Sequence, residues 1–264
     1  MNSYAEVLDA YDKGRYHIAP YRKVRVTNAT TPTDMSYGAG IPIANYYASA
    51  PLVQAELLPR EGIFHGISSS DKFLHKISIN VATPSLGSYI LCDYVSYIPF
   101  IDGDSTDIQT FETHALPRYA DGKGIQLMVI SQGIGIATGN MTLTYTNQDG
   151  VAGRVATTFV DGTSAVGSQA HPRSNWVQLQ AGDSGIRLIE SVVFDVSIGG
   201  IYSLVLVKPT VSVNVSDITA PMEIDYFSSK MNMPKIHKDA YLNFVFKSLS
   251  AVTTNIQAQL EFIY

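Results

Sequence analysis

The chain has one cysteine, Cys92, so no internal disulfide can hold the fold together. It sits in the apolar run Tyr89-Ile90-Leu91-Cys92-Asp93-Tyr94-Val95. There it reads as a small buried hydrophobe, because a catalytic thiol needs an electropositive setting and none flanks it. Long apolar runs are missing too. No stretch reaches the roughly 20 residues of a membrane helix, which predicts no membrane partner. Met1-Asn2-Ser3-Tyr4-Ala5-Glu6 carries neither the basic nor the apolar segment of a secretory leader, so the expected site of folding is a cytoplasm.

Charge is also scarce. Charged residues make up 16% of the 264 positions, against roughly 25% in an average soluble domain. The formal net charge of -5 opposes a dedicated nucleic-acid binder, which needs a basic face. The six histidines, His17, His65, His75, His114, His171 and His237, show no paired spacing for zinc. There is no Walker loop. Gly133-x-Gly135 leads into another strand pattern rather than the helix that a phosphate cradle requires. No metal and no cofactor is expected.

What is present is β chemistry. Met141, Leu143 and Tyr145 alternate with Thr142, Thr144 and Thr146, giving one apolar and one hydroxyl face. Asn147-Gln148-Asp149-Gly150 supplies a tight turn, and Val151 to Val155 returns as the second strand of a hairpin. The stretch from Ile125 to Ala156 is therefore expected to organise the chain. Two further units, Leu74–Ile98 and Ile186–Val207, each read strand, Gly-containing turn, Tyr, apolar strand, and predict two equivalent hairpins. Phe111–Leu116 and Val211–Val215 read as short strands, and Tyr241–Phe246 with Ile256–Tyr264 as a last hairpin. Many short strands with Gly/Pro turns predict an all-β fold, an antiparallel β-sandwich of jelly-roll-like type.

The N-terminal part differs. Tyr4, Val7, Leu8 and Tyr11 follow helical spacing, and Gly14 stops the helix. Residues 15–60 hold five prolines and Tyr16, Tyr21, Tyr37, Tyr46 and Tyr47, too many aromatics for a disordered linker. An ordered extended arm is expected, which divides the chain into helix and arm at 1–70 and a sandwich at 71–264. Arg15, Arg22, Lys23 and Arg25 make the start of the arm basic, either as solvated charges or as a contact for an acidic surface. The expected protein interface comprises Tyr4, Leu8, Tyr11, Arg15, Tyr16, Tyr21, Arg22, Tyr37, Tyr46 and Tyr47.

Two motifs invite chemistry. Gly182-Asp183-Ser184-Gly185 is similar to the nucleophile motif of chymotrypsin-like serine proteases, but Ile186-Arg187 replaces the Gly-Pro that follows there, and no histidine lies in that family's His motif. It reads as a turn. Asp102, Asp104 and Asp107 have carboxylates for a hard cation, but no Glu stands at position twelve of an EF-hand register, so an Asx-turn cluster is preferred. Trp176 and Tyr119 are loop aromatics suited to stacking on a sugar, which leaves a carbohydrate-binding module as an alternative.

Three stretches carry a resemblance. Asp102-Gly103-Asp104-Ser105-Thr106-Asp107, Leu116 to Gln126 and Leu143 to Arg154 resemble a group of tailed-bacteriophage virion structural proteins. The likeness continues through Leu179 to Arg187 and Met233-Pro234-Lys235-Ile236. It implies a non-enzymatic capsid decoration or minor head protein on the phage head surface. Its implied partners are the major capsid protein and further copies of itself, as a trimer or dimer; a tail, connector or fibre-base protein is the alternative. It brings no catalytic residues.

Overall fold

The structure, a computed structural model, describes residues 4–27, 31–81, 85–172, 174–229 and 231–264. Thr83 and Pro84 of an expected turn, and Arg173 of the loop around Trp176, lie outside the described residues. The helix α1 (Tyr4–Asp12) comes first. The strands follow as β1 (Tyr16–Thr27), β2 (Pro32–Asp34), β3 (Ala39–Ile41), β4 (Ala55–Glu56), β5 (Lys72–Val81), β6 (Gly87–Asp102), β7 (Gln109–Thr110) and β8 (Gln126–Gly133). Then come β9 (Thr138–Asn147), β10 (Arg154–Asp161), β11 (Ile186–Phe194), β12 (Ile201–Val215), β13 (Met222–Asp225), β14 (Lys235–Ile236), β15 (Leu242–Ser248) and β16 (Val252–Ile263).

The fold is an all-β sandwich built from three antiparallel sheets. The central one has the order β2-β15-β6-β12-β8, with β4 also on β6. A second sheet runs β13-β5-β16-β1-β3, with β14 on β5, and a third runs β10-β9-β11-β7. The long pair β6 and β12 is the spine. Alternate side chains at one end of it, Tyr89, Leu91, Val211 and Val213, pack on Tyr21, Leu74, Ile77, Leu260 and Phe262 of the second sheet. On the same face at the other end, Val95, Ile98, Leu204 and Leu206 pack on Met141, Leu143, Ile189 and Phe194 of the third sheet. Two sheets thus sit side by side on one face of a third, and each half of the spine buries its period-two apolar set.

Asp93 falls on that face at the seam, between Leu91 and Val95, and is buried. Arg118 meets it through Nε (2.8 Å) and Nη2 (2.5 Å) and also donates to the Tyr94 carbonyl (2.6 Å). Tyr119 Oη and the Tyr241 N–H complete the shell of the carboxylate at 3.0 Å each. A buried charge survives only when paired and fully hydrogen-bonded, and this one is.

The opposite face of the central sheet is covered by the arm. Tyr37, Tyr47 and Leu57 pack on Ile90, Cys92, Tyr94, Val205 and Val245. Cys92 is a buried apolar residue, as expected. Its thiol is pushed well above its usual range, chiefly by burial.

Several strand pairings differ from expectation. Residues 140–155 do form the hairpin β9–β10, with Arg154 opposite Tyr145 and Gly150 at φ +78° in the turn. The other apparent hairpins do not exist. β5 and β6 lie in different sheets, as do β11 and β12, and β15 and β16. The two units seen as equivalent are so in another sense: each steps from an outer sheet to the centre, and their second strands, β6 and β12, pair with each other. β8 and β9 also part company. Their connector passes so tightly under Ile198 and Gly199 that a Cβ on Gly135 would lie 2.4 Å from the Ile198 carbonyl oxygen. Val211–Val215 is not a separate strand but the end of β12, which runs through Pro209 at a register shift. Pro209 is tolerated there because β8 pairs with β12 only as far as Val207, so no strand needs its missing N–H on that side. Phe111–Leu116 forms no strand; Glu112 makes one parallel bridge to Val53.

The boundary expected at residue 70 does not separate arm from sandwich. β1 is an inner strand of the second sheet, paired along its whole length with β16. Residues 15–27 are therefore core sheet, not arm. The strand was hidden because its apolar residues are split between both faces.

Candidate interaction surface

In β1 the two faces are exchanged. Ala19, Tyr21, Lys23 and Thr27 point inward and are buried, whereas Tyr16, Ile18, Val24 and Val26 point outward and are exposed, Val26 by 67%. The inward cations are accommodated individually. Lys23 Nζ donates to the carbonyls of Gly38 (2.8 Å), Ser36 (3.4 Å) and Ile43 (3.4 Å). Arg25 lies over the Tyr37 ring at 5.4 Å and donates to the Val166 carbonyl. The basic start of the arm is therefore divided: Lys23 and Arg25 serve the interior, Arg15 is paired with Asp9 at 2.5 Å, and Arg22 stays exposed.

Burial pulls the Lys23 ammonium down to about 8, against the attraction of the Asp34 carboxylate. Since the unfolded chain holds this proton up to about pH 10.5, it binds more protons than the folded chain between those values, and stability rises with pH across that window. The buried tyrosines, raised above 10, act with the opposite sign once the unfolded chain ionises. Lys23 is thus expected to contribute a climb in stability above pH 8, opposed once the thiol and tyrosines of the unfolded chain ionise. Chemical unfolding of Lys23→Met should show a flatter climb; an identical one would remove this assignment.

Three of the expected interface tyrosines are unavailable to a partner. Tyr21 donates to Asn243 Oδ1 at 3.0 Å inside the core. Tyr37 and Tyr47 lie on the protein's own central sheet, and Tyr47 donates to Asp34. Asp34 is a buried carboxylate that also accepts from Tyr94 Oη (2.8 Å), Ser36 N (2.8 Å) and Ser36 Oγ (2.6 Å). The arm is ordered because it fastens to its own sheet, so its aromatic area is spent internally.

The helix also docks at home. Its buried residues are Val7 and Ala10, packed on Ile263, and not the full Tyr4-Val7-Leu8-Tyr11 stripe. Tyr11 Oη bonds His75 Nδ1 (2.8 Å) and Glu261 (3.1 Å). Tyr4 and Leu8 are exposed, with the Tyr4 ring 5.2 Å from that of Phe227. Of the expected set, Tyr4, Leu8, Tyr16, Arg22 and Tyr46 remain at the surface.

A different flank does form a continuous surface. A groove of about 520 Å³ is lined by Ile18, Pro20, Ile41, Pro42, Ile43 and Phe64. It shares Ile43 and Glu61 with a second groove of about 290 Å³ that reaches Tyr46. It shares Arg60 and Phe64 with a third, of about 590 Å³, that reaches Ile67. Ile43 is 75% and Ile67 86% exposed. Single exposed apolar residues need no explanation, but a connected belt along a sheet edge does. Sequence reasoning missed Ile18, Val24, Val26, Ile41, Ile43 and Phe64. The one available signal was the alternation of Val24 and Val26 with Lys23 and Arg25.

The chemical motifs resolve into structural turns. Asp183 accepts from Tyr145 Oη (2.6 Å), Asn147 Nδ2 (2.7 Å) and Arg154 Nε (2.9 Å). The Arg154 hydrogen bond leads in holding its carboxyl down at about 2. Ser184 gives its N–H to Gln148 Oε1 at 3.0 Å. Asp102 Oδ1 accepts from Asp104 N (2.9 Å), and Ser105 Oγ from Asp107 N (3.2 Å), the Asx-type closure expected.

No protein-family model, no curated protein and no solved structure matches this chain.

Proposed function

We propose that the chain is a non-enzymatic structural component of a tailed-phage virion, a decoration protein that binds the outer shell of major capsid protein and stabilises it. The observation that carries the reading is the inverted β1, with cations held inside and Ile18, Val24 and Val26 turned outward beside the Ile41–Ile43 groove. A strand that faces only water gains nothing from this arrangement, whereas one that is covered on assembly gains the burial of each side chain, about 1.5–3 kcal/mol. The resemblance of residues 102–107, 116–126, 143–154, 179–187 and 233–236 to virion structural proteins supplies the kind of partner. Binding needs no moving part: a rigid apolar flank is laid on the capsid, and a standard interface of about 1,600 Å² suffices.

The test is sedimentation of the purified protein with expanded capsids. Val26→Asp and Ile43→Asp, at positions that touch no core, should each weaken binding at least ~10-fold, equivalent to about 1.4 kcal/mol. Association with isolated tails and not with capsids rejects the reading.

A further inference from the structure

A second site lies away from this flank. Past residues 167–170, which bond along the outer edge of β8, the segment from Trp176 to Gln180 meets the same edge through Val177 N–H to the Leu127 carbonyl at 2.9 Å. Alternate side chains go opposite ways. Val177 and Leu179 pack into the core between the central and third sheets. Trp176 turns to the other side and is half-buried against the core beneath the arm. Gln178 and Gln180 share its side and are exposed. Gln126 of β8 completes a groove of about 410 Å³ together with Gly182 and Asp183.

The described polar groups of this groove have unused hydrogen-bonding capacity. Asp183 is saturated by Arg154, Tyr145 and Asn147. Among the described residues, Gln126 uses only Nε2, toward the Ser184 carbonyl at 3.4 Å, and Gln180 only Oε1, for the Val155 N–H at 3.3 Å. Among the described residues, neither the Gln178 amide nor the Trp176 indole N–H has a hydrogen-bond partner. The site thus offers one flat aromatic ring and a ring of neutral donors and acceptors.

We propose that this groove binds a neutral hexose unit of a glycan. A hexose presents a patch of C–H groups, which an indole covers, and a rim of hydroxyls that both donate and accept, which carboxamides match at both ends. Ions are disfavoured because, among the described residues lining the groove, the one charge, Asp183, is paired. A proline-rich peptide, which docks between several aromatic residues, finds only one here. With a single aromatic and an open groove, affinity is expected near ~1 mM, as for a small ligand that loses little water.

The sole tryptophan is its own reporter. Selectively excited Trp emission of the full chain is titrated with lactose, maltose, cellobiose and diacetylchitobiose. The expected result is a saturable change with at least one of them. Gln178→Ala, whose side chain touches no core, should weaken it ~5-fold or more. Saturation-transfer NMR of Trp176→Ala, in a sample shown by circular dichroism to be folded, should lose the sugar signal. The proposal is overturned if no disaccharide gives a saturable change, if Gln178→Ala binds like the parent, or if only a proline-rich peptide moves the emission. These results bear on the glycan site alone, since capsid binding is read separately with Val26→Asp.

Discussion

Arg118→Ala is expected to lower unfolding free energy by about 3–5 kcal/mol, because it leaves the Asp93 carboxylate buried at the seam without its counter-charge. That is a large share of the roughly 5–15 kcal/mol by which domains are stable. The effect should exceed that of any single apolar truncation on the outer flank, since the seam is where both cores meet the spine. Replacing both partners, Asp93→Leu with Arg118→Met, should recover part of the loss: no charge remains buried, although Tyr241 N–H and Tyr119 Oη lose an acceptor. Urea unfolding of the single and double variants measures both. A loss under about 1 kcal/mol for Arg118→Ala would show that the pair is not closed as described.

Acid is expected to start destabilising the protein near pH 6.5, above the range where carboxylates titrate. His171 is buried with neither ring nitrogen hydrogen-bonded among the described residues, and burial alone pulls it down to about 4. His65 is also lowered to about 4, first by burial and then by the Lys72 ammonium, which donates to its Nδ1 at 2.8 Å. Both folded values lie below the unfolded 6.5. As pH falls through 6.5 the unfolded chain takes up protons first, and stability is lost down to about pH 4. Each histidine then costs on the order of 3 kcal/mol at pH 4, so the two together rival the whole stability. Asp183, folded at about 2, adds its loss only below about pH 4, which separates the two windows. His171→Phe keeps the ring's shape and gives up no hydrogen bond. It should therefore be near neutral at pH 7.5 while removing about half of the loss between pH 6.5 and 4. Unchanged acid sensitivity in that variant would exclude His171 as a source.

The fold class could be read from residues whose pattern has one meaning. The alternation of Met141, Leu143 and Tyr145, followed by Asp149-Gly150, allows only a half-buried strand and a tight turn, and it formed both. Cys92, in an apolar run, could only be core. The pairing of strands was not legible. β5 and β6, or β15 and β16, read equally well as hairpins or as steps between sheets, because a short connector and an apolar face are common to both. The site was misplaced for a related reason. Tyrosine carries no mark of whether its area is spent inside or outside, and Tyr47 turned inward to Asp34 and the protein's own central sheet.

What the sequence by itself determined was local: period-two strands, the Gly-bearing turns, a first helix, and a core that needs no disulfide. Those follow from side-chain direction and backbone sterics within a few residues. What only the tertiary structure decided was which face of each strand meets protein. Lys23 and Arg25 could turn inward because carbonyls of 36, 38, 43 and 166 waited there, and that choice alone put Val24 and Val26 on the outside. Such a choice depends on groups brought together from far along the chain, so no window of the sequence contains it.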